Sequence, residues 1–292
     1  MGVMKYSIKQ FNKDFQDDNA CLDYIFRMRF PNVEGYYRVK NRKCYSHKTT
    51  KHQIHPLAGT TFEKSSTPLK LWFTAIYFVA TSKHGVSSNE LAEKLGVTYK
   101  CAWRINYRIR QLMKQGTDLF EGIVEADETY IGGRKRGGHG MKEKTPVIGL
   151  LNRGGIVRAK KVDEVNTGVL IENIRDNVKF GSRLVSDEHI VYKKTKQLGL
   201  LHDYVTHSKG EYVRGDVYTN SLEGFWSQLK RSINGTYHSV SIKHLQSYVD
   251  EFAFRYSFRS SKIPVFHLMM ASALLLPDGG FQKSFSSPVP VA

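Results

Sequence analysis

The sequence predicts a mixed α/β protein in which one sheet carries flanking helices, preceded by a mostly helical and basic N-terminal region. Between residues 120 and 163, three β-branched segments are joined by short turns, which is typical of an antiparallel meander. Beyond residue 166, helical patterns alternate with short strand patterns, and this alternation adds elements to the same sheet. Before residue 117, apolar residues recur mainly at helical spacing.

The positive charge is concentrated in the N-terminal part. The chain of 292 residues has 44 Lys and Arg against 27 Asp and Glu, a net charge of +17. Residues 1–116 hold 20 Lys and Arg against 8 Asp and Glu, so +12 of that charge lies there. Such an excess favours a polyanionic partner, because neutralised phosphates supply most of the non-specific affinity for nucleic acid.

Three segments of this basic part have a predicted structure. Residues 18–30 form a short amphipathic helix capped by an aspartate. Residues 36–62 form short strands and turns rich in Lys, Arg and His. Residues 69–81 are apolar enough for a buried helix, and Pro68 is tolerated near its first turn because that position needs no amide donor.

Residues 85–113 predict a helix-turn-helix. Ser87 or Ser88 caps the first helix, Gly96 ends it, and Thr98 caps the second. The alternative is a helical hairpin that only packs against its neighbours, but the charge favours DNA binding, with the second helix in the major groove. The residues that this helix carries for such a contact are Tyr99, Lys100, Arg104, Tyr107, Arg108 and Arg110.

The remainder of the chain supplies the elements of the sheet. Predicted strands at 120–131, 145–152 and 155–163 precede a helix at 167–178 that is capped by Asn166 or Thr167. The later elements are a strand at 182–189, a helix at 190–199, a strand at 202–207 and helices at 221–232 and 241–257. The apolar run at 267–276 is shorter than the roughly 18 residues of a membrane span and predicts a buried helix.

Three acids stand on separate elements of this region. Asp127 lies in the apolar strand "IVEADETYI", Asp187 lies in "LVSDEH", and Glu223 is on the helix "NSLEGFWSQLKR". Hard cations such as Mg²⁺ take carboxylate oxygens, and two ions can stabilise the attacking and leaving oxygens of an in-line displacement. The arrangement therefore predicts a divalent-metal phosphoryl-transfer site. The alternative for Asp127 is a strand-end acid in a surface ion pair.

Neighbouring acids receive weaker assignments. Glu125 shares the strand face of Asp127, because strand side chains alternate, and it is either an outer neighbour of the site or simply solvated. Glu128 and Glu188 point to the opposite face in regular strands, so we leave them outside the predicted ligand set.

Helical geometry separates the candidates in the last motif. At about 100° per residue, Glu223 lies at the boundary of the apolar face, whereas Asn220 points further toward solvent. Glu223 is therefore the preferred third ligand, and Asn220 is the alternative. Lys230 and the adjacent Arg231 follow about two turns later and are predicted phosphate contacts. The apolar face consists of Leu222, Phe225, Trp226, Leu229 and Ile233.

Several long motifs resemble one family. The strings "VEADETYIGGRKRGGHG", "LVSDEH", "THSKGEYVRGDVYTNSLEGFWSQLKRSINGTYHSV" and "LQSYVDEFAFRYSFR" resemble the DDE-type transposases of bacterial insertion sequences, in the group related to the Merlin elements. The upstream strings "CLDYIFRMRF" and "LAGTTFEKSSTPLKLWFTAIYFVATSKHGVSSNELAEKLGVTYKCAWR" are similar to the N-terminal region of that group. Together the motifs cover nearly all of residues 20–260.

The resemblance implies an RNase H-like catalytic domain. In such a domain Asp127, Asp187 and either Glu223 or Asn220 would bind Mg²⁺ or Mn²⁺. The implied partners are the terminal inverted repeats of the element and target DNA, held by a homodimer or larger synaptic assembly. Some relatives carry Asn as the third residue, which keeps Asn220 open.

The sequence departs from the family in one region. Relatives carry a zinc ribbon of two Cys-x-x-Cys pairs before the "AGT" motif, but that region reads "RFPNVEGYYRVK" and "YSHKTT" here. Cys44, His47, His52 and His55 do not supply four ligands at a convincing spacing, so zinc is not expected.

Two further groups are predicted to contact DNA near the acids. Arg134, Lys135 and Arg136 follow the first strand, and their alternative is a solvated hairpin. His207 in "THSKGEYV" is equally consistent with a substrate contact and with a structural role.

The predicted organisation has four segments. They are an N-terminal helix with a degenerate zinc-ribbon-like region (1–66), a helix-turn-helix (67–116), an RNase H-like domain (117–260) and a C-terminal helix and tail (261–292). Scattered cysteines and an N-terminus without an apolar core predict a cytoplasmic, nucleoid-associated protein with no membrane partner. Two alternatives to a transposase are a repurposed relative that binds DNA without cutting it and a structure-selective nuclease on the same fold.

Overall fold

A computed structural model of the chain describes residues 6–132, 144–187, 195, 198–205 and 218–274. The described parts of residues 1–113 and 261–292 form one compact unit, and those of residues 114–260 form a second. The four-segment organisation stays a prediction. None of the helices in these ranges has both the length and the apolar character that a bilayer crossing requires.

The described elements follow the predicted order, and the predicted helix at 190–199 lies mostly outside the described residues. A π-helical turn, Ile233–Tyr237, extends the seventh helix. In chain order the elements are α1 (Ile8–Asp14), α2 (Asp18–Arg29), β1 (Tyr36–Arg38), β2 (Tyr45–His47), β3 (Gln53–Ile54), α3 (Leu69–Thr81), α4 (Ser88–Leu95), α5 (Tyr99–Gln111), β4 (Ile123–Ile131), β5 (Thr145–Asn152), β6 (Val157–Lys161), α6 (Thr167–Asn177), β7 (Arg183–Ser186), β8 (Leu201–Tyr204), α7 (Asn220–Ser232), α8 (Leu245–Ser257) and α9 (Val265–Leu274).

Helix α1 is the element of the first unit that the sequence analysis does not predict. Ser7 caps it by accepting a hydrogen bond from the amide of Gln10, and Phe11 is fully buried. Phe11 packs against Phe15 and Phe266, so α1 joins the aromatic core that α9 also enters. The pairing of Phe11 with Phe15 at helical spacing, after a serine cap, is the signal that would have predicted this helix.

The small sheet of the first unit has the strand order β1-β2-β3 and is antiparallel throughout. It is held to α2 by aromatic packing, since the rings of Phe26 and Tyr45 stack with centroids 3.9 Å apart. The Tyr45 hydroxyl also donates to Asp23 of α2. Tyr36 and His52 share a 2.8 Å hydrogen bond within the sheet. Aromatic packing and hydrogen bonds therefore hold the small sheet together and attach it to α2.

The predicted helix-turn-helix has its expected helix boundaries. Ser87 accepts from the amide of Glu90 at the start of α4, and Gly96 ends α4 in the left-handed region at φ 64°. Thr98 caps α5 through the amide of Cys101. Both caps and the glycine follow the sequence prediction.

The second unit is built on a five-stranded sheet with the order β6-β5-β4-β7-β8. Strands β4, β5 and β6 form the predicted antiparallel meander, whereas β7 runs parallel to β4 and β8 parallel to β7. Helices cover both faces of this mixed sheet. The predicted mixed α/β sheet with flanking helices is confirmed.

The two faces of the sheet have separate cores. Helix α6 packs on one face, where Leu170 and Ile174 meet Val124 and Ala126 of β4. Helices α7 and α8 pack on the other face, where Trp226 and Phe252 belong to the same core as Leu151. Because alternate residues of β4 point to opposite faces, Glu125 and Asp127 lie on the side of α7.

Candidate active site

Asp127 lies in the middle of the sheet, in the central strand β4. Its register partner in β5 is Gly149. The carboxylate accepts hydrogen bonds from the amide of Glu128 at 2.8 Å and from Nε1 of Trp226 at 3.0 Å. Burial, reinforced by the charges of Glu128 and Asp187, raises the pKa of Asp127 to about 7. Asp127 is partly buried, and the raised pKa reflects the cost of ionising a carboxyl group in this apolar strand.

Asp187 directly follows β7 and lies level with Asp127. The parallel ladder pairs Ile123 with Arg183 and Glu125 with Val185. Two residues further along both strands, the same register brings Asp127 beside Asp187. Neighbouring strands are about 4.8 Å apart, so the two acids are lateral neighbours. The contribution of Asp187 to the raised pKa of Asp127 agrees with this proximity.

The indole ring of Trp226, on α7, packs directly against Gly149 of β5. A β-carbon built on Gly149 would lie 2.4 Å from Cζ2 of Trp226 and 3.1 Å from Cδ1 of Leu222. Because Gly149 of β5 has no side chain, the indole of Trp226 can pack against the strand and reach Asp127. The sequence analysis assigned Trp226 to the core. The ring is buried there, but its N–H also finds an acceptor, as a buried indole usually does.

Glu125 also contacts α7, two residues before Asp127. Its side chain is fully buried, which rules out the solvated alternative. Oε1 accepts from Nε of Arg153 at 3.3 Å, and Oε2 accepts from the amide of Leu222 at 3.1 Å. The sequence analysis missed Arg153, which lies in the turn between β5 and β6.

These contacts fix the direction of α7 along β4. Leu222 meets Glu125, and Trp226 meets Asp127. Four helical residues advance about 6 Å, and two strand residues advance about 6.6 Å, so the helix and the strand run together in the same direction. Glu223 and Asn220 of α7 are both exposed.

The described residues do not form a complete metal centre. Within the described ranges, no three His, Cys, Asp or Glu side chains are grouped closely enough to hold one ion. Asp127 and Asp187 are brought together, whereas Glu223 stays outside their immediate group. The third ligand, like the whole predicted ligand set, stays a prediction.

The predicted DNA contacts near the acids divide into two groups. Lys230 and Arg231 are exposed on α7, and Nε of Arg231 donates to the carbonyl of Ser227. The remaining positions lie outside the described residues, and they are Arg134, Lys135, Arg136 and His207.

The predicted DNA-contacting face of α5 is exposed at most of its positions. Tyr99, Lys100, Arg104 and Arg108 are exposed, but Arg110 is buried and does not belong to this face. Two of the arginines also bind within the unit. Arg104 donates to the Thr67 hydroxyl at 2.8 Å, and Arg108 donates to the carbonyl of Thr61 at 3.1 Å.

An aromatic pair on α5 joins the predicted contact Tyr107, which is partly buried, to Trp103, which was not singled out in the sequence. Trp103 is 37% exposed, and its ring stacks on Tyr107 with centroids 5.5 Å apart. The two residues are four positions apart on one face of α5, together with Tyr99. This spacing is the signal from which the pair could have been predicted.

Asp127→Asn is expected to change how stability depends on pH. Folding raises the pKa of Asp127 from 3.8 to about 7. The contribution of this group to the free energy of unfolding is therefore fully present below its unfolded pKa and is lost as the pH rises to about 7. The Asn variant buries no charge, so near pH 8 its free energy of unfolding should exceed that of the wild type by roughly 2–4 kcal/mol.

Urea denaturation across this pH range, with chelator present, measures the difference. The two proteins should converge in acid and separate as the pH rises. A difference that does not vary with pH would contradict the raised pKa.

Comparison with known proteins agrees with the sequence motifs. Residues 120–257 match the family model described as the ISXO2-like transposase domain. A protein described as uncharacterized, in transposable element ISH50 of Halobacterium salinarum, is 28% identical over 243 residues, which cover 76% of this chain and 80% of that protein.

Solved transposase structures are also similar to this chain. A pre-cleavage Mos1 transpososome matches 73% of this chain and 82% of its own, with 11% identity and a TM-score of 0.28. A Mos1 paired-end complex with the left transposon end matches 78% of this chain and 82% of its own, with 12% identity and a TM-score of 0.26.

Residues 120–257 of the second unit are thus similar to a transposase domain, and the resemblance read from the sequence motifs is confirmed.

Proposed function

We propose that this protein is a transposase that binds the terminal inverted repeats of an insertion sequence and carries out metal-dependent DNA cleavage and strand transfer. The observation that carries the proposal is the lateral pairing of Asp127 with Asp187 on two parallel strands. One of these carboxylates has its pKa raised to about 7, partly by the charge of the other. A divalent cation would offset the repulsion between two such carboxylates, because it interacts favourably with both charges at once.

Glu223 is the third ligand in this proposal, and the contacts of α7 support it over Asn220. The side of α7 that faces β4 lies midway between Leu222 and Trp226 around the helix axis. Measured around the axis from that direction, Glu223 is about 80° away and Asn220 about 140° away. Asn220 is therefore turned almost away from the sheet.

The flank of α7 that carries Glu223 is also the flank on the side of Asp187. Phe225 lies about 80° to the opposite flank and meets Tyr256 of α8, with ring centroids 5.6 Å apart. Helix α8 covers β6, because the amide of Val157 donates to Ser257 at 2.9 Å. Strands β6 and β7 lie on opposite sides of β4, so the flank of Glu223 is directed toward β7.

The donor set fits a hard divalent cation, Mg²⁺ or Mn²⁺, since its members are carboxylates. Asp127, Asp187 and Glu223 would hold it. When bound, two such ions supply activation of a water or 3′-hydroxyl and stabilisation of the leaving oxygen. The chain itself orients the site, because the indole of Trp226 and the amide of Glu128 fix the Asp127 carboxylate.

DNA binding in this proposal uses two surfaces. Near the acids, the phosphate backbone would meet Lys230 and Arg231 of α7, together with Arg134, Lys135, Arg136 and His207. In the first unit, α5 would enter the major groove of the terminal repeat. Its proposed contacts are Tyr99, Lys100, Arg104 and Arg108, supported by their exposure and by the net charge. Pairing two ends requires a dimer or a larger assembly.

The function is tested with labelled duplexes that carry the ends of the element, together with target DNA and Mg²⁺. Cleaved ends joined to target would support a transposase. Cleavage without joined product would instead indicate a nuclease, and specific binding without cleavage in either Mg²⁺ or Mn²⁺ would indicate a DNA-binding protein that lacks activity.

The choice of third ligand predicts different effects of two substitutions on α7. Glu223→Gln should lower the cleavage rate by roughly a hundredfold or more, because a neutral amide is a poorer ligand for Mg²⁺. Asn220→Ala changes a position turned away from the sheet and should keep most of the activity. Single-turnover cleavage measures both, and the reverse pattern would assign the third ligand to Asn220.

A further inference from the structure

The buried ion pair between Glu125 and Arg153 lies at the start of α7. Glu125 is fully buried, and the Arg153 side chain is 18% exposed. Charges taken out of water are costly unless each finds partners, and here both carboxylate oxygens of Glu125 accept hydrogen bonds. Neither residue belongs to the proposed ligand set, so the ligands alone do not explain the pair.

Glu125 acts on the first turn of α7. The N-cap of this helix, Thr219, makes no capping hydrogen bond with its side chain. The amide of Leu222, one of the first four amides of the helix, donates both to the carbonyl of Thr219 and to Oε2 of Glu125, each at 3.1 Å. A carboxylate at a helix N-terminus also interacts favourably with the helix dipole. Strand β4 thus caps α7 through Glu125.

Arg153 holds the chain just before the same helix. Its guanidinium donates to the carbonyl of Tyr218 at 3.1 Å and lies 3.9 Å from the centroid of the Tyr218 ring. The Tyr256 hydroxyl also holds the first turn of α7, because it donates to the carbonyl of Ser221 at 2.9 Å. The entry into α7 is therefore fixed at three successive points, and Glu223 follows within the same helical turn.

We propose that Glu125 and Arg153 are positioning residues that fix the start of α7 on β4 and so set the distance of Glu223 from Asp127 and Asp187. This inference rests on the proposed function. The same strand supplies Asp127 as a ligand and Glu125 as the anchor of the helix that bears Glu223. A change in the anchor therefore alters the spacing between the ligands without removing any of them.

The chain offers a matched control for the loss of a buried ion pair. Glu251 is also fully buried and pairs with Arg255, whose side chain is 7% exposed, at 2.7 Å. Both carboxylate oxygens of Glu251 accept hydrogen bonds from the Tyr237 hydroxyl. Glu251→Gln thus disturbs a comparable pair on α8 and leaves the start of α7 unchanged.

The test uses the full chain and measures Mn²⁺ binding as well as cleavage. The chain has three tryptophans, and their indole N–H groups give separate signals in an NMR spectrum of ¹⁵N-labelled protein. The Trp226 signal, identified by its loss in Trp226→Phe, should broaden as Mn²⁺ binds beside Asp127. Titrations of the wild type, Glu125→Gln, Arg153→Lys and Glu251→Gln then give apparent Mn²⁺ affinities.

Glu125→Gln and Arg153→Lys should each weaken Mn²⁺ binding and lower the kcat of cleavage by about 10–100-fold, as loss of an outer neighbour of a metal site does. The KM for DNA should stay unchanged. Glu251→Gln should stay within about threefold of the wild type in both measurements, even where it lowers the Tm. Arg153→Lys keeps the charge next to Glu125 and tests the anchor if Glu125→Gln does not fold.

Equal effects of the two Glu→Gln changes, or wild-type Mn²⁺ affinity in both anchor variants, would overturn the positioning role. Cleavage and Mn²⁺ binding by the wild type would leave the proposed function standing in that case. A wild type that neither cleaves nor broadens the Trp226 signal would overturn both proposals.

Discussion

Asp127→Asn and Asp187→Asn are each expected to lower the rate of DNA strand cleavage roughly a thousandfold or more. The loss of a carboxylate removes several kcal/mol of charge stabilisation in a metal-assisted displacement. The two acids lie level on β4 and β7, so neither is expected to substitute for the other. Single-turnover cleavage of a labelled terminal-repeat duplex measures the rate.

Folding and activity should change in opposite directions in Asp127→Asn. This variant should be more stable than the wild type near pH 8, because it no longer buries a carboxylate whose pKa is raised to about 7. Asp176→Asn is the control, since Asp176 lies in the same unit in an exposed ion pair with Arg175. Normal cleavage by Asp127→Asn would contradict a catalytic role for Asp127.

Gly149→Val is expected to destabilise the second unit by about 3 kcal/mol or more and to abolish cleavage. Even a β-carbon at this position would lie 2.4 Å from Cζ2 and 2.6 Å from Cη2 of Trp226, so the indole must move. The ring is part of a close-packed core, where overpacking costs about 1–3 kcal/mol for small additions. The displaced ring also loses its hydrogen bond to Asp127.

Urea denaturation of two smaller substitutions checks the cause. Gly224→Ala on α7 meets nothing within 4 Å and should stabilise the protein by up to about 1 kcal/mol. Gly149→Ala should destabilise it less when combined with Trp226→Phe, because phenylalanine lacks the clashing atoms. Purely additive effects of these two changes would contradict a direct contact.

Periodicity and strand order predicted much of this molecule. The apolar face of α7 and the caps of α4 and α5 follow from helical spacing and capping residues. The sequence predicted Asp127 and Asp187 on separate strands, and the parallel register of β4 and β7 brings them level.

The missed features depend on contacts between distant parts of the chain. Glu125 and Leu222 are 97 positions apart, and no local pattern indicates that a strand acid caps a later helix. Arg153 lies in a glycine-containing turn, where sequence alone predicts solvent exposure. Gly149 reads as an ordinary strand glycine until the indole of Trp226 is seen against it.

The most direct test of the carboxylate site is a change of metal preference. Asp187→Cys replaces an oxygen ligand with a thiolate, which Mg²⁺ binds poorly and Mn²⁺ accepts more readily. We predict that the wild type cleaves terminal-repeat duplexes with either ion, whereas Asp187→Cys is inactive in Mg²⁺ and regains cleavage in Mn²⁺. Equal cleavage by Asp187→Cys in both ions, or wild-type cleavage in the presence of excess chelator, would contradict a catalytic metal held by Asp187.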